Sequence, residues 1–574
     1  VLRGSLAGRF VGQSRRPETS PGSRACRPDL VLAYAIAGLS IILVPGLTTR
    51  VYHVPLTAQF GLFELLPVTY WLGLVLVAAS VGLALWRASD GLVAITGALL
   101  LAILAGTPVL FEPTPRYWDS YMHFSEAQGL GVPGFSRTAS SYAANWPGAF
   151  LTILTLAHAA GTSALEFLGW FPFLAGGLTF LAIFEFLRAT FERRMARLAS
   201  VPTALFAVWA QFHVSPQAMG FVLFLLILAT VRRRETKWRL VSAVLFLGLV
   251  VSHPTSAILL LTILGTYAVL SLITRFHLSA SRTEVRRNAR SAQRIAITFA
   301  TVWLSWLFFL AIGSSEAAQV AVLTRMHAIL GIAEQTLNLA TQRTQENVLT
   351  WAPLIRTASL GVYGLVGLVS LVALFRDRGS RDRVRFLVAA LVAPVLVGLA
   401  DILAFRGQFY DRSILLFATI VPALCLTGLH GIRLPKVART GLVVVLVAAS
   451  VATASTAYYL EAFNLVPVEA IAASDFVFGF PSGSIVVDGM VPAPVWLDPA
   501  TRPAITRLTF PQIYPGALEA LPPGDSVYVV YDPTAELWYR QWRGSDAYEF
   551  YAAAKANYSL IYDNGWTEVY AVRG

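Results

Sequence analysis

Thirteen long apolar runs constrain this chain more than any motif in it. They fall at about 30–48, 68–86, 91–110, 167–187, 198–212, 216–231, 238–252, 254–274, 295–313, 351–375, 386–404, 413–430 and 440–460. A bilayer needs about 20 apolar residues per crossing helix, and most of these runs approach that length. Only 13% of the 574 residues are charged and 56% are hydrophobic. A soluble domain carries roughly 25% charged residues, so lipid must solvate much of this surface. The expected fold is an α-helical polytopic membrane protein of about 13 transmembrane helices, with a small α/β domain after them.

The bases order the spans. The connections 1–29, 188–197, 232–239, 275–294, 376–385 and 431–439, with the turn at Arg87, hold 30 of the 38 Lys and Arg residues that precede Glu461. The alternate connections hold Arg50, Arg116, Arg137, Arg325, Arg343, Arg356, Arg406 and Arg412. Base-rich loops face the cytoplasm. The alternation is unbroken if the short apolar stretch 148–160 lies in the interface or re-enters without crossing. Residues 1–29 then form a basic cytoplasmic lead, 30–460 the spanning domain of a cell-membrane protein, and 461–574 an extracytoplasmic domain. The net charge of +12 is accounted for by membrane orientation, not by a nucleic-acid partner.

The tail changes character at Glu461, with 13 acids against 6 bases. Residues 461–479 read as a helix. Ser484–Val487 and Ser526–Tyr531 read as strands, and Tyr558–Val572 as a hairpin on the turn Asp563-Asn564-Gly565. Two cysteines, Cys26 and Cys425, exclude a disulfide framework. No glycine-rich phosphate loop or dinucleotide fingerprint is present, so nucleotide-dependent chemistry has no sequence signal.

The chemistry falls on the outer loop 111–146. Its centre reads Pro115-Arg116-Tyr117-Trp118-Asp119-Ser120-Tyr121-Met122-His123-Phe124-Ser125-Glu126, and it closes on Asn145-Trp146-Pro147-Gly148. If Ser120–Glu126 is helical, Asp119 and Glu126 share one face about 10 Å apart. The base-poor side also carries Phe405-Arg406-Gly407-Gln408-Phe409-Tyr410-Asp411-Arg412, whose arginines suit a lipid phosphate.

With these residues the chain resembles the GT-C superfamily of polyprenyl-phosphate-sugar-dependent glycosyltransferases. The likeness is to the members related to protein mannosyltransferases and aminoarabinose transferases. It rests on Asp119 and Glu126 in the first large outer loop, then Trp146-Pro147-Gly148-Ala149-Phe150, Phe191-Glu192-Arg193-Arg194 and His213-Val214-Ser215-Pro216-Gln217. It covers roughly residues 90–230. Ser120 stands where many members have a second acid, and the oligosaccharyltransferase signature Trp-Trp-Asp-Tyr-Gly does not occur in the tail.

The resemblance implies transfer of a sugar from a polyprenyl-phosphate donor to a glycan, lipid or protein acceptor on the extracytoplasmic face. Asp119 would be the catalytic base and Glu126 its supporting partner, orienting the acceptor or pairing with a base such as Arg116. Substrate binding is expected of Arg116, His123, His253, Arg406, Asp411 and Arg412. No cofactor is expected. A divalent metal enters only if His123, His213 and His253 converge, and helix-end capping is the simpler role for the last two. The rival readings are a lipid-linked glycan transporter and a non-catalytic membrane subunit. Few ionisable residues, Glu185 and Asp401 among them, lie within or near the spans, and no repeat is visible.

Overall fold

The structure is a computed structural model. It describes residues 28–55, 58–130, 142–208, 210–233, 235–277, 282–316, 351–376, 381–405, 410–432, 434–458, 465–481, 483–488, 505–509, 526–533 and 555–573. Arg406 and most of the N-terminal lead lie outside the described residues.

The chain is mostly helical. In order come α1 (Pro28–Thr48), α2 (Val68–Trp86), α3 (Asp90–Phe111), α4 (Trp118–Leu130), α5 (Tyr142–Asn145), α6 (Pro147–Ala160), α7 (Ala164–Thr190) and α8 (Arg193–Phe206). They are followed by α9 (Pro216–Arg232), α10 (Thr236–Ser252), α11 (Pro254–His277), α12 (Arg282–Phe309), α13 (Trp351–Arg376), α14 (Arg381–Phe405), α15 (Tyr410–Gly431), α16 (Lys436–Ala454) and α17 (Val468–Phe478). Among the described residues, nine helices are long and apolar enough to cross a membrane: α1–α3, α7, α11 and α13–α16. Helices α6 and α9 and the second half of α12 are apolar but shorter. At 14 residues α6 is about 21 Å long, below the roughly 30 Å of a hydrocarbon core.

The run 198–212 is not a continuous span. Helix α8 carries Pro202 and stops at Phe206, and the chain is irregular until Ser215 caps α9 through the Ala218 amide. Irregular backbone at membrane depth survives only where protein buries it or a cavity takes its polar groups. Residues 207, 208 and 210–213 line the Asp119 cavity described below.

The spanning core is built from Phe180, Phe184 and Phe186 of α7, Phe224 of α9, Leu260 of α11, Leu387 of α14 and Leu416 of α15. At one end of α3, Asp90 receives Arg193 Nε at 2.6 Å and Arg197 Nη1 at 2.8 Å, with Arg188 Nε at 3.4 Å. A helix of 22 residues rises about 33 Å, so this arginine cluster lies far from Phe111 and the loop that follows it.

The tail forms a five-stranded sheet in the order β2-β1-β3-β5-β4, from β1 (Ser484–Asp488), β2 (Ile505–Thr509), β3 (Val527–Tyr531), β4 (Ser559–Asp563) and β5 (Glu568–Arg573). Strand β1 runs parallel to β2 and β3, while β5 is antiparallel to β3 and β4. The β4–β5 turn places Gly565 at φ +85°, where a side chain would be strained, and Asn564 Oδ1 accepts the Thr567 amide. Val477 of α17 closes a small core with Val486, Val530 and Val569. The sheet meets the spanning domain where Trp566 stacks on His53, with ring centroids 5.4 Å apart.

Candidate active site

Helix α3 ends in Glu112-Pro113-Thr114-Pro115, which turns the chain across the helix ends. Arg116 grips Glu112 with Nε (3.1 Å to Oε2) and Nη2, and both side chains are buried. Its guanidinium also lies over the Tyr458 ring at 5.0 Å. Thr114 Oγ1 donates to the Val466 carbonyl, and Tyr121 donates to the Pro115 carbonyl at 2.8 Å. The loop is therefore pinned to the segment leading to the C-terminal sheet.

Tyr117 follows at φ +71°, a backbone conformation that costs a non-glycine residue roughly 1–3 kcal/mol and persists only where surroundings enforce it. What enforces it is a stack on His213 at 4.3 Å. Tyr117 turns the chain into α4, whose first turn carries Asp119. Asp119 Oδ2 and His213 Nε2 are 2.9 Å apart. His213 is buried, while about a quarter of the Asp119 side chain is exposed. Burial alone would raise the Asp119 pKa. The charge and hydrogen bond of His213, followed by the charge of His123, outweigh it and hold the carboxyl below its usual range. Asp119 is an oriented, ionised acceptor.

Asp119 and His213 open on a cavity of about 300 Å³. Its polar end is completed by Tyr117 and Arg356, and its walls are apolar: Leu101, Leu104 and Ala105 of α3, Ala204 and Leu205 of α8, and Ala454 of α16. Arg356 sits in the second turn of α13 and is held by Thr456 through Oγ1 (2.8 Å) and the carbonyl (2.7 Å). A carboxylate, a histidine and a guanidinium thus face the end of a slot walled by the helices themselves. Such a slot suits an amphiphile with an anionic head and an apolar tail.

Further along the same face of α4, His123 Nδ1 and Glu126 Oε2 are 3.7 Å apart. Beside them lie Gln217 in the first turn of α9, His253 between α10 and α11, and Arg412 in the first turn of α15. Arg412 donates from Nε to Gln217 Oε1 (3.0 Å) and from Nη1 to Thr255 Oγ1 (3.2 Å). His253 Nδ1 accepts the Ser256 amide at 3.3 Å and contacts Ser256 Oγ at 2.8 Å, so it caps α11. Gly220 allows α9 this close: a Cβ there would lie 2.7 Å from His253 Cβ. Helices α4, α9, α11, α13 and α15 all begin on this side, turning their positive ends toward it.

No family model matches the chain, and no curated protein matches it. Solved structures of the oligosaccharyltransferase of Archaeoglobus fulgidus are similar to it. The form tethered to an acceptor peptide is 13% identical with a TM-score of 0.47, over 84% of this chain and 74% of that one. The apo form is 12% identical with a TM-score of 0.47, over 85% and 74%. The form named AglB, in complex with an inhibitory peptide and a dolichol-phosphate, is 13% identical with a TM-score of 0.44, over 83% and 74%. Likeness at this level assigns neither substrates nor residue roles.

Of the residues singled out in the sequence, Asp119, His123 and Glu126 share one helix face, as the seven-residue spacing implies. Arg116 does not reach Glu126: it is committed to Glu112, its near neighbour in sequence. Arg412 lies beside Gln217, Thr255 and Tyr142 and is not part of the Asp119 cavity lining. Asp411 occupies the first turn of α15 beside it. The residues that sequence reasoning left without a catalytic role are His213, 94 residues from its partner, and Arg356. Arg356 had a signal: a lone arginine six residues into an apolar run marks function by default. Among the described residues no three His, Cys, Asp or Glu side chains converge, and Asp119 is already engaged by His213.

Proposed function

We propose that the chain is a membrane glycosyltransferase that moves a sugar from a polyprenyl-phosphate donor to a hydroxyl-bearing acceptor on the extracytoplasmic face. The observation that carries this reading is the ionised Asp119, oriented by His213, at the polar end of a helix-walled slot that also holds Arg356. The acceptor hydroxyl gives its proton to Asp119 as its oxygen attacks the anomeric carbon. The bond from that carbon to the phosphate oxygen breaks on the opposite side, inverting the centre. Polyprenyl phosphate leaves with the bonding pair, its charge held by Arg356 and the positive helix ends. The prenyl chain lies along Leu101, Leu104, Ala204 and Ala454. Base-rich loops lie in the cytoplasm, and the slot and the C-terminal domain lie outside.

The test is Asp119→Asn in the purified full chain in nanodiscs, scored by release of polyprenyl phosphate from a panel of synthetic polyprenyl-phospho-hexoses and -pentoses with membrane extract as acceptor. Turnover should fall at least about a hundredfold while donor binding is retained. Near-normal turnover in Asp119→Asn would remove the base and promote the transporter or subunit readings.

A further inference from the structure

We propose that His123, Glu126, Gln217 and His253 form a second subsite, beside Asp119, that binds the hydroxyls of a carbohydrate acceptor. The inference rests on the reading of Asp119 as the base of a sugar transfer, and it names the class of acceptor.

Four polar groups from three separate parts of the chain meet here with hydrogen-bonding capacity unspent. Gln217 is only 4% exposed. Arg412 Nε donates to its Oε1, which fixes the amide orientation and leaves Nε2 as a buried donor with no hydrogen-bond partner among the described residues. Glu126 Oε2 is a buried acceptor in the same condition, and His123 Nδ1 is a buried ring nitrogen likewise without a partner among the described residues. The two stand 3.7 Å apart, beyond a hydrogen bond. Each such group costs about 1–3 kcal/mol when left unpaired, so a fold that gathers several is one a ligand completes. His253 adds a donor of fixed identity. Because Nδ1 accepts the Ser256 amide, the ring proton is on Nε2. Burial, followed by the charges of Arg412 and His123, keeps this imidazole neutral.

The mixture selects the ligand class. Gln217 and His253 offer N–H groups, while Glu126 offers a carboxylate oxygen. A hydroxyl both donates and accepts, so adjacent hydroxyls on a sugar ring can satisfy such a set. A phosphate or carboxylate only accepts and would sit against Glu126. An ammonium group would sit against Arg412. An apolar acceptor would leave every group unpaired. The charge of His123 acts on both Asp119 and His253. Glu126 is two helical turns, about 10 Å, from Asp119 along α4. A sugar bridging them would present one hydroxyl to the base and others to the subsite.

Saturation-transfer NMR on the full chain in nanodiscs tests this without requiring turnover. The probes are methyl glycosides of glucose, galactose, mannose and arabinose, with glycerol phosphate and an N-acetyl tripeptide amide as the anionic and peptide competitors. At least one glycoside should receive saturation above empty nanodiscs. Gln217→Ala and the isosteric Glu126→Gln should each reduce it at least fivefold. Absence of glycoside binding to the wild-type chain overturns the subsite, as does a signal unchanged in Glu126→Gln or displacement by the tripeptide alone. Glycoside binding together with full transfer by Asp119→Asn overturns the catalytic reading instead, so the two failures are distinct.

Discussion

Replacing His213 with alanine removes a hydrogen bond between a buried imidazole and a carboxylate at 2.9 Å, together with the stack that supports Tyr117. A hydrogen bond to a charged group contributes about 1.5–3 kcal/mol, and each 1.36 kcal/mol is tenfold in rate. Turnover should therefore drop roughly 10- to 150-fold, with donor affinity much less affected. The pH profile should move as well. In the wild-type chain the Asp119 pKa is depressed, so its ionised form persists below the ordinary carboxylate pKa of about 3.9 and is lost only as pH falls through the lower folded value. Without His213, burial is the dominant influence left and acts in the opposite direction. The acidic limb of kcat/KM, which reports the free enzyme, should shift to higher pH. His213→Gln can still donate a hydrogen bond but carries no charge. It should recover part of the turnover near neutrality while keeping the shifted limb. The assay is single-turnover release of polyprenyl phosphate in nanodiscs from about pH 3 to 8, wide enough to include the limb near the ordinary carboxylate pKa. A His213→Ala chain within twofold of wild type at pH 7, with its acidic limb unmoved, would refute the dyad.

Arg356→Gln should weaken donor use about 10- to 150-fold in kcat/KM, and Lys should rescue only partly because the planar fork is lost; Arg412→Gln should leave donor affinity unchanged, and equal donor defects in both would put the phosphate elsewhere. Glu112→Gln leaves Arg116 as a buried charge without its carboxylate and should cost about 3–5 kcal/mol in reversible detergent unfolding; a midpoint equal to wild type would show the pair to be dispensable. Single cysteines at 280–290 should react with a membrane-impermeant reagent only in inverted vesicles, and cysteines in the tail only in right-side-out cells; labelling of both from one side would overturn the topology.

The apolar runs locate helices well because burial in lipid is written into composition. The run 68–86 coincides with α2, and 254–274 lies inside α11. The same signal misreads 198–212, because an apolar residue lining a cavity looks identical to one facing lipid; only Pro202 hints that α8 ends early. In the tail, β1, β3 and the β4–β5 hairpin follow from their apolar content and the Asn-Gly turn. Strand β2 does not, since Ile505-Thr506-Arg507-Leu508-Thr509 earns its place by pairing in parallel with β1 and not by its own pattern. Likewise α4 places Asp119, His123 and Glu126 on one face by local periodicity. The partnership of Asp119 with His213 is created by the packing of α4 against the segment before α9, which no spacing rule encodes.

The scarcity of bases on the site's side of the chain nevertheless carries more than orientation. Of the eight arginines in the base-poor connections, the four whose side chains are described are all held by specific partners. Arg50 donates to the Leu110 carbonyl at 3.0 Å, Arg116 to Glu112, Arg356 to Thr456, and Arg412 to Gln217 and Thr255. Bases of the base-rich connections are held as well: Arg193 and Arg197 reach Asp90 and Arg232 reaches Asp382, although 70% of the Arg193 side chain stays exposed. Two of the four fix the loop that presents Asp119: Arg50 fastens the end of α3, and Arg116 locks the turn after it. Arg356 lines the Asp119 cavity, and Arg412 holds Gln217. On the proposed orientation, three of these four arginines therefore gather around the Asp119 loop and its cavity, Arg50 and Arg116 by fixing the loop and Arg356 by lining the cavity.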